Sequence, residues 1–284
     1  MFKNCLLLFF VLMISGSINA QANLLNAKKI AQIGVKNKET LITDNDGPLP
    51  YGYIDDRDIL WSKVVWEFVD LNQKINLPYY YPIDTTNIST YRRSLFDTLV
   101  KGIRQGKITE AYTDSFFNTK ITKEEINDRL VNVRTEDGYS DTYTLQSADI
   151  GGYMIKGVWY FDKRQAELKY RLLALAPMGK DVQTLGLEDI EDQNLYELFW
   201  VFFPSAREVL HDVKIFNPKN ASHPISFDHL LNARRFSGTI VKEENMYGNR
   251  GIKDYVRGSA LFQLLEADKI KEDIRNREMD MWNY

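Results

Sequence analysis

Large apolar residues recur at spacings of three and four in the segment that follows Asp55. Acidic residues crowd the start of this segment, and negative charge is favourable near a helix N-terminus. The apolar side chains that share one helical face are Trp61, Val64, Phe68, Leu71 and Ile75. This periodicity predicts an amphipathic helix over residues 56–73.

Two further helices are predicted in the N-terminal half. Apolar residues four apart over 95–106 precede a glycine, which commonly follows the end of a helix. Thr122 and Glu125 have the spacing of a capping box, in which each side chain accepts a hydrogen bond from the backbone of the other residue. A short helix through Leu130 follows from it, so the first half of the chain is expected to be mainly helical.

The pattern changes after Gly138, where β-branched and aromatic residues dominate 142–145 and 153–161. Residues 168–172 then alternate apolar and basic side chains, which is typical of a half-buried strand. Together with the polar connection before them, these strands predict an antiparallel hairpin. Residues 195–203 predict another strand.

Helical spacing returns near the C-terminus. Ser226 is suited to cap a helix over 226–236, and a short strand is predicted at 239–241. A charged helix over about 253–281 closes the chain, and its apolar face fades after Leu265. The sequence therefore predicts an α+β fold with a helical N-terminal half, a central antiparallel sheet and C-terminal helices.

The first twenty residues have the composition of a secretory signal peptide. We expect cleavage after Ala20, which removes Cys5, the only cysteine, and leaves a mature chain without disulfides. Residues 21–50 are polar and are interpreted as an extended arm that a partner or a core groove orders, with a disordered linker as the alternative. Residues 51–284 are predicted to form a single α+β domain.

The charge pattern argues against a nucleic-acid partner, and the hydropathy argues against a transmembrane helix in the mature chain. The sequence has 36 basic and 39 acidic residues, and loss of Lys3 with the signal peptide changes the formal net charge from -3 to -4. Basic and acidic residues are interleaved, so no nucleic-acid partner is expected. No stretch of the mature chain approaches the roughly 20 apolar residues that a transmembrane helix needs.

Candidate chemistry is sparse. The sequence contains neither a phosphate-binding glycine-rich loop nor a nucleophile elbow, and its three histidines, His211, His223 and His229, do not have the spacing of a metal site. We therefore predict no enzymatic activity, no catalytic residues and no metal or cofactor.

An alternative function remains open. Carboxylate pairs such as Glu188 with Glu191, or Glu243 with Glu244, have the chemistry that a glycoside hydrolase needs. The aromatic runs at 79–81 and 159–161 are of the kind that line glycan or peptide grooves. The alternative is thus a periplasmic glycan-binding module or a carboxylate-dependent glycoside hydrolase.

A series of ordered segments resembles the GldN/PorN family of Bacteroidetes. The match rests on the number and order of the segments rather than on one motif. The resembling segments are 50–61 with Val65 and Trp66, 157–164, 168–177, 199–204 with Ala206 and Arg207, 225–236, 242–245 and 279–282.

This resemblance implies a structural subunit of the type IX secretion and gliding motility machinery. It implies a periplasmic location at the inner face of the outer membrane, in a ring formed with an outer-membrane lipoprotein of the GldK/PorK type. It also implies lateral self-association and contact with the GldL/GldM motor, whose GldM/PorM-like protein has a periplasmic part. The partner-binding residues that we predict are Pro50, Tyr51, Tyr53, Arg234, Arg235 and Trp282.

Overall fold

An antiparallel sheet forms the centre of the fold. The computed structural model describes residues 47–83, 92–136, 139–185, 194–215, 217, 225–246 and 248–281. The strands of the sheet are β1 Ile59–Asp70, β2 Ala111–Tyr112, β5 Ile150–Asp162, β6 Glu167–Gly179, β7 Tyr196–Glu197, β8 Trp200–Phe202 and β11 Thr239–Glu243. Their order in the sheet is β11-β1-β5-β6-β8-β2, and β7 pairs with β6. Two small hairpins lie apart from this sheet, namely β3 Val131–Glu136 with β4 Tyr139–Thr144, and β9 Lys214–Ile215 with β10 Ile225–Ser226.

The longest pairing of the sheet is the β5–β6 hairpin. Trp159 lies opposite Tyr170, and Phe161 lies opposite Leu168. Ala166, in the connection, has a positive φ of 52°. The hairpin predicted from the aromatic run and the alternation at 168–172 is confirmed, as are strands at 142–145 and 239–241.

The helix predicted over 56–73 is wrong, because these residues form a short 3-10 turn, Asp56–Asp58, followed by β1. β1 lies inside the sheet between β11 and β5, and residues on both of its faces are buried. Val65, Glu67 and Val69 point to one face, and Trp66 points to the other. A strand buried on both faces loses the period-two pattern, and its apolar residues then also satisfy helical spacing.

Helices cover one face of the sheet. α1 Leu77–Tyr80 and α2 Leu95–Arg104 follow β1, and α3 Lys123–Leu130 begins at the predicted capping box, in which both hydrogen bonds are present. α4 Phe203–Asp212 packs against α2, and α5 Phe227–Asn232 packs against α4. The helices predicted over 95–106 and up to Leu130 are confirmed, and the helix predicted over 226–236 is confirmed with an earlier end.

A strand was predicted over 195–203. The structure has two short strands there, β7 and β8, in place of one continuous strand. The last residue of that range, Phe203, begins α4, which the sequence analysis missed. Pro204 occupies the first turn of that helix, where its missing N–H costs no hydrogen bond. The proline marks a helix start here rather than only the end of a strand.

The single closing helix predicted over 253–281 is divided in two. α6 Ile252–Tyr255 and α7 Ala260–Met281 are separated by a turn in which Gly258 has a φ of +88°, a conformation that favours glycine. Ala267, Ile270 and Ile274 of α7 pack with Val65 and Ile240 of the sheet. The break lets α7 cross β11 with its buried face turned to the sheet.

The α+β class is confirmed, with its central antiparallel sheet and C-terminal helices. A helical N-terminal half is not, because β1 is the longest element of that half in the described residues. The predicted signal peptide, nearly all of the arm and Trp282 lie outside the described residues, so the division into signal peptide, arm and single domain stays a prediction. Within the described ranges, no helix combines the length and apolar character needed to cross a bilayer.

Candidate functional site

Tyr51, one of the predicted partner-binding residues, is held between two arginines. The guanidinium carbon of Arg207 lies 4.2 Å from the centre of its ring, and that of Arg171 lies 4.7 Å away. Its hydroxyl donates a hydrogen bond to Oδ1 of Asn232 at 3.1 Å. Burial raises the pKa of this hydroxyl, whereas the positive charge of Arg207 lowers it.

Three arginines also fix the backbone on either side of Tyr51. Arg207 donates to the carbonyl of Leu49 at 2.7 Å, and Arg171 donates to that of Gly52 at 3.1 Å. Arg164 donates to the carbonyl of Tyr53 at 2.8 Å. We call residues 49–53 with these donors the arginine clamp.

The clamp is built on rigid parts of the fold. Arg171 lies on β6, and Arg164 lies in the β5–β6 connection, where its Nε is 3.1 Å from a carboxylate oxygen of Asp58. Arg207 lies on α4 and makes two hydrogen bonds, of 2.7 and 3.1 Å, to the buried carboxylate of Asp228. Residues 49–53 are therefore anchored to the domain, while the ring of Tyr53 remains 79% exposed.

Arg234 and Arg235 have opposite environments. Nη2 of Arg234 lies 2.5 and 2.6 Å from the two carboxylate oxygens of buried Glu67. Its guanidinium carbon is 4.8 Å from the ring centres of Trp159 and Tyr170. The side chain of Arg235 is exposed, so of this pair Arg235 is the one open to a partner.

An aromatic and lysine cluster occupies the opposite face of the sheet. Nζ of Lys156 lies 5.1 Å from the ring centres of Trp66 and Phe116, and Nζ of Lys242 lies 4.7 and 4.8 Å from the same rings. Lys156 donates to the carbonyl of Ser115 at 2.8 Å, and burial lowers the pKa of its ammonium group. These contacts tie the loop that carries Phe116 onto the sheet.

The residues of the alternative enzymatic function are only partly described. Glu243 is paired with Lys63 at 2.6 Å, and Glu244 is exposed, whereas Glu188, Glu191 and His223 lie outside the described residues. In the described ranges, histidines and carboxylates form no group of three or more that could hold a metal ion.

The aromatic runs proposed as groove walls are divided between core and surface. Tyr79 is buried and stacks with Phe227, whereas Tyr81 is exposed. Trp159 is half-buried and packs against Tyr170, with 5.0 Å between the ring centres. The rings of these runs thus mainly pack against other residues of the domain.

An exposed apolar surface at the start of α7 was not predicted from the sequence. Four large side chains within five residues are between 46% and 63% exposed, namely Leu261, Phe262, Leu264 and Leu265. The apolar face that the sequence predicts up to Leu265 is thus exposed here, and the buried residues of α7 begin at Ala267. The available signal was the run 260–265, which contains no charged residue. We call these four residues the α7 apolar patch.

A groove lies beside this patch, between β11 and the two C-terminal helices. Its volume is about 300 Å³. The residues that line it are Thr239, Ile240, Val241, Ile252, Lys253, Ala260, Gln263 and Leu264. β11 is the last strand on its side of the sheet, so the groove runs along a sheet edge.

Comparison with known protein families gives one result that covers most of the chain. The model of the family described as "Gliding motility associated protein GldN" matches residues 54–283. A search of curated proteins finds no match.

Proposed function

The chain belongs to the GldN family of gliding-motility-associated proteins, and on that premise we propose that it is a non-enzymatic structural subunit of the type IX secretion and gliding motility apparatus. It acts in the periplasm, where it joins an outer-membrane lipoprotein of the GldK/PorK type in a ring. It also contacts the periplasmic part of the GldL/GldM motor, through the GldM/PorM-like protein, and passes motion from the motor to the ring.

The α7 apolar patch is the observation that carries this proposal. Apolar side chains that remain together on the surface mark sites of protein association, because their contact with water is unfavourable until a partner covers them. Leu261, Phe262 and Leu265 are each more than half exposed, although the neighbouring turns of the same helix pack on the sheet. A scaffold subunit needs such surfaces.

The use of charged residues inside the domain supports a structural role. Glu67 is paired with Arg234, Asp228 with Arg207, and Glu243 with Lys63. Each pair joins elements distant in sequence, since β1 meets the segment after α5, α4 meets α5, and β1 meets β11. These ion pairs fix the packing of the elements, and they occupy carboxylates that an acid–base mechanism would need free.

The test is the isolation of complexes from a host that carries an affinity-tagged chain. The proposal predicts that the lipoprotein and the GldM/PorM-like protein are isolated together with the chain, and that deletion of the chain abolishes type IX secretion. The proposal is disproved if the tagged chain is isolated free of both partners and a host from which the chain is deleted still secretes its substrates.

Two leucines of similar exposure provide a test variant and its control. Leu265, in the α7 apolar patch, is 54% exposed, and Leu60, on β1, is 51% exposed. Leu265→Glu should reduce recovery of the complexes, whereas Leu60→Glu should not, and both variants should unfold like the wild type. Equal recovery of complexes by the two variants would show that the patch is not an interface.

A further inference from the structure

β11 presents a sheet edge that the described part of the chain leaves largely unpaired. On its inner side it pairs with β1 from Thr239 to Glu243. On its outer side, the described residues add a single bridge, between Lys242 and Gly251. Such an edge offers backbone donors and acceptors to another extended segment.

The groove at this edge suits an extended segment with apolar side chains on one side. Ile240 and Ile252 contribute apolar lining, and Ala260 and Leu264 contribute the wall on α7. Successive side chains of an extended chain point to opposite sides, so every second residue would enter the groove. The remaining side chains would point to the opposite side, away from the groove.

The N-terminal sequence supplies a segment of this kind. Residues 22–46 contain no proline, so every residue can donate to a strand pairing. Ile33 and Val35 are two residues apart and would face the same side, and further apolar residues follow at Leu41 and Ile42. The segment precedes residues 49–53, which the arginine clamp holds on the domain.

We propose that residues 22–46 of one copy pair with the β11 edge of a second copy, with Ile33 and Val35 in the groove. This inference rests on the proposed function, because it names the contact that joins neighbouring copies in the ring. The clamp is attached to β6, and two strands, β5 and β1, separate β6 from β11. Each copy therefore carries the segment and the edge at separate places, as a head-to-tail contact that closes a ring requires.

Disulfide cross-linking between differently tagged copies tests the exchange. Cys5 is the only cysteine, so a chain that begins at Gln21 reports introduced cysteines without background. Copies with Ala260→Cys, in the groove wall on α7, are mixed with copies that carry Ile33→Cys or Val35→Cys, and the mixture is oxidised. We expect mixed-tag dimers about tenfold or more above those formed by copies with Val133→Cys, an exposed valine on β3, because pairing raises the effective concentration of the thiols.

A pair of glutamate variants provides the second measurement. Leu264→Glu places a charge in the groove wall and should abolish the cross-link, whereas Leu60→Glu should leave it unchanged. The proposal is overturned if the mixed-tag dimers do not exceed the Val133→Cys control. It is also overturned if a chain that carries both cysteines cross-links only within itself.

The two proposals fail in different ways. If the chain is isolated with the lipoprotein and the motor protein but the mixed copies do not cross-link, the exchange is wrong and the structural function stands. If the copies cross-link but neither partner is recovered and secretion continues without the chain, the exchange stands and the proposed function is wrong.

Discussion

Nη2 of Arg234 lies 2.5 Å from Oε1 and 2.6 Å from Oε2 of Glu67, whose side chain has no exposed surface. Arg234 has a positive φ of 50° and follows α5, whereas Glu67 lies in the middle of β1. This ion pair therefore joins the covering helices to the centre of the sheet.

Replacement of Arg234 by alanine leaves the Glu67 carboxylate buried without its partner. We expect Arg234→Ala to lower the free energy of unfolding by about 3–5 kcal/mol, measured by urea denaturation with tryptophan fluorescence. The neighbouring exposed Arg235 provides the control, and Arg235→Ala should change that free energy by about 0.5 kcal/mol or less. Similar losses from both variants would contradict a structural role confined to Arg234.

Gly157 lies where the β5–β6 hairpin leaves no space for a side chain. A Cβ at this position would overlap the hydroxyl and ring of Tyr170, which itself packs against Trp159. Gly157→Ala should therefore lower the free energy of unfolding by about 1–3 kcal/mol. Gly52→Ala, at a position with no heavy atom within 4 Å of the new Cβ, should unfold like the wild type. An equally stable Gly157→Ala variant would show that the hairpin relaxes at no cost.

Arg171 should control the local order of the arginine clamp more than the stability of the whole fold. Arg171→Ala removes the hydrogen bond to the carbonyl of Gly52 and one of the two guanidinium groups at the Tyr51 ring. Amide hydrogen exchange followed by mass spectrometry should become faster in residues 49–53, with a loss of about 1 kcal/mol in global stability. Arg57→Ala, at a highly exposed arginine that follows this segment in sequence, should leave that exchange unchanged. Unchanged exchange in Arg171→Ala would mean that Arg207 and Arg164 hold the segment by themselves.

The capping box of α3 gives a local test of the fold. The side chain of Thr122 accepts a hydrogen bond from the backbone of Glu125, and the Glu125 carboxylate accepts one from the backbone of Thr122. Thr122→Ala should cost about 1 kcal/mol in thermal or urea unfolding. Thr119→Ala, an exposed threonine in the preceding loop, should cost much less. An equal cost would show that the cap does not stabilise α3.

Elements with one covered face could be predicted from the sequence. The β5–β6 hairpin carries alternating side chains at residues 168–172, and α2 carries a single apolar stripe, so both show the period of their own geometry. β1 does not, because helices cover Val69 and the aromatic cluster covers Trp66 on the other face. Its strand character was visible only in its β-branched and aromatic content.

Residues of the candidate site were harder to predict. Tyr51 was predicted and lies in the arginine clamp, but its partners Arg171 and Arg207 are more than 100 residues away in sequence. Glu67 and Arg234 are likewise paired only by the fold. The α7 apolar patch was missed because helical spacing cannot separate a stripe that meets the sheet from one that faces solvent.

The arginines of the clamp recognise main-chain oxygens. Because the carbonyls of Leu49, Gly52 and Tyr53 are present whatever their side chains, the segment can stay attached while the residues it displays are replaced. The exposed side chains of Leu49 and Tyr53 are thus free to diverge without loss of the anchor. Such an arrangement lets a lineage alter its choice of binding partner at this position and keep the same domain beneath it.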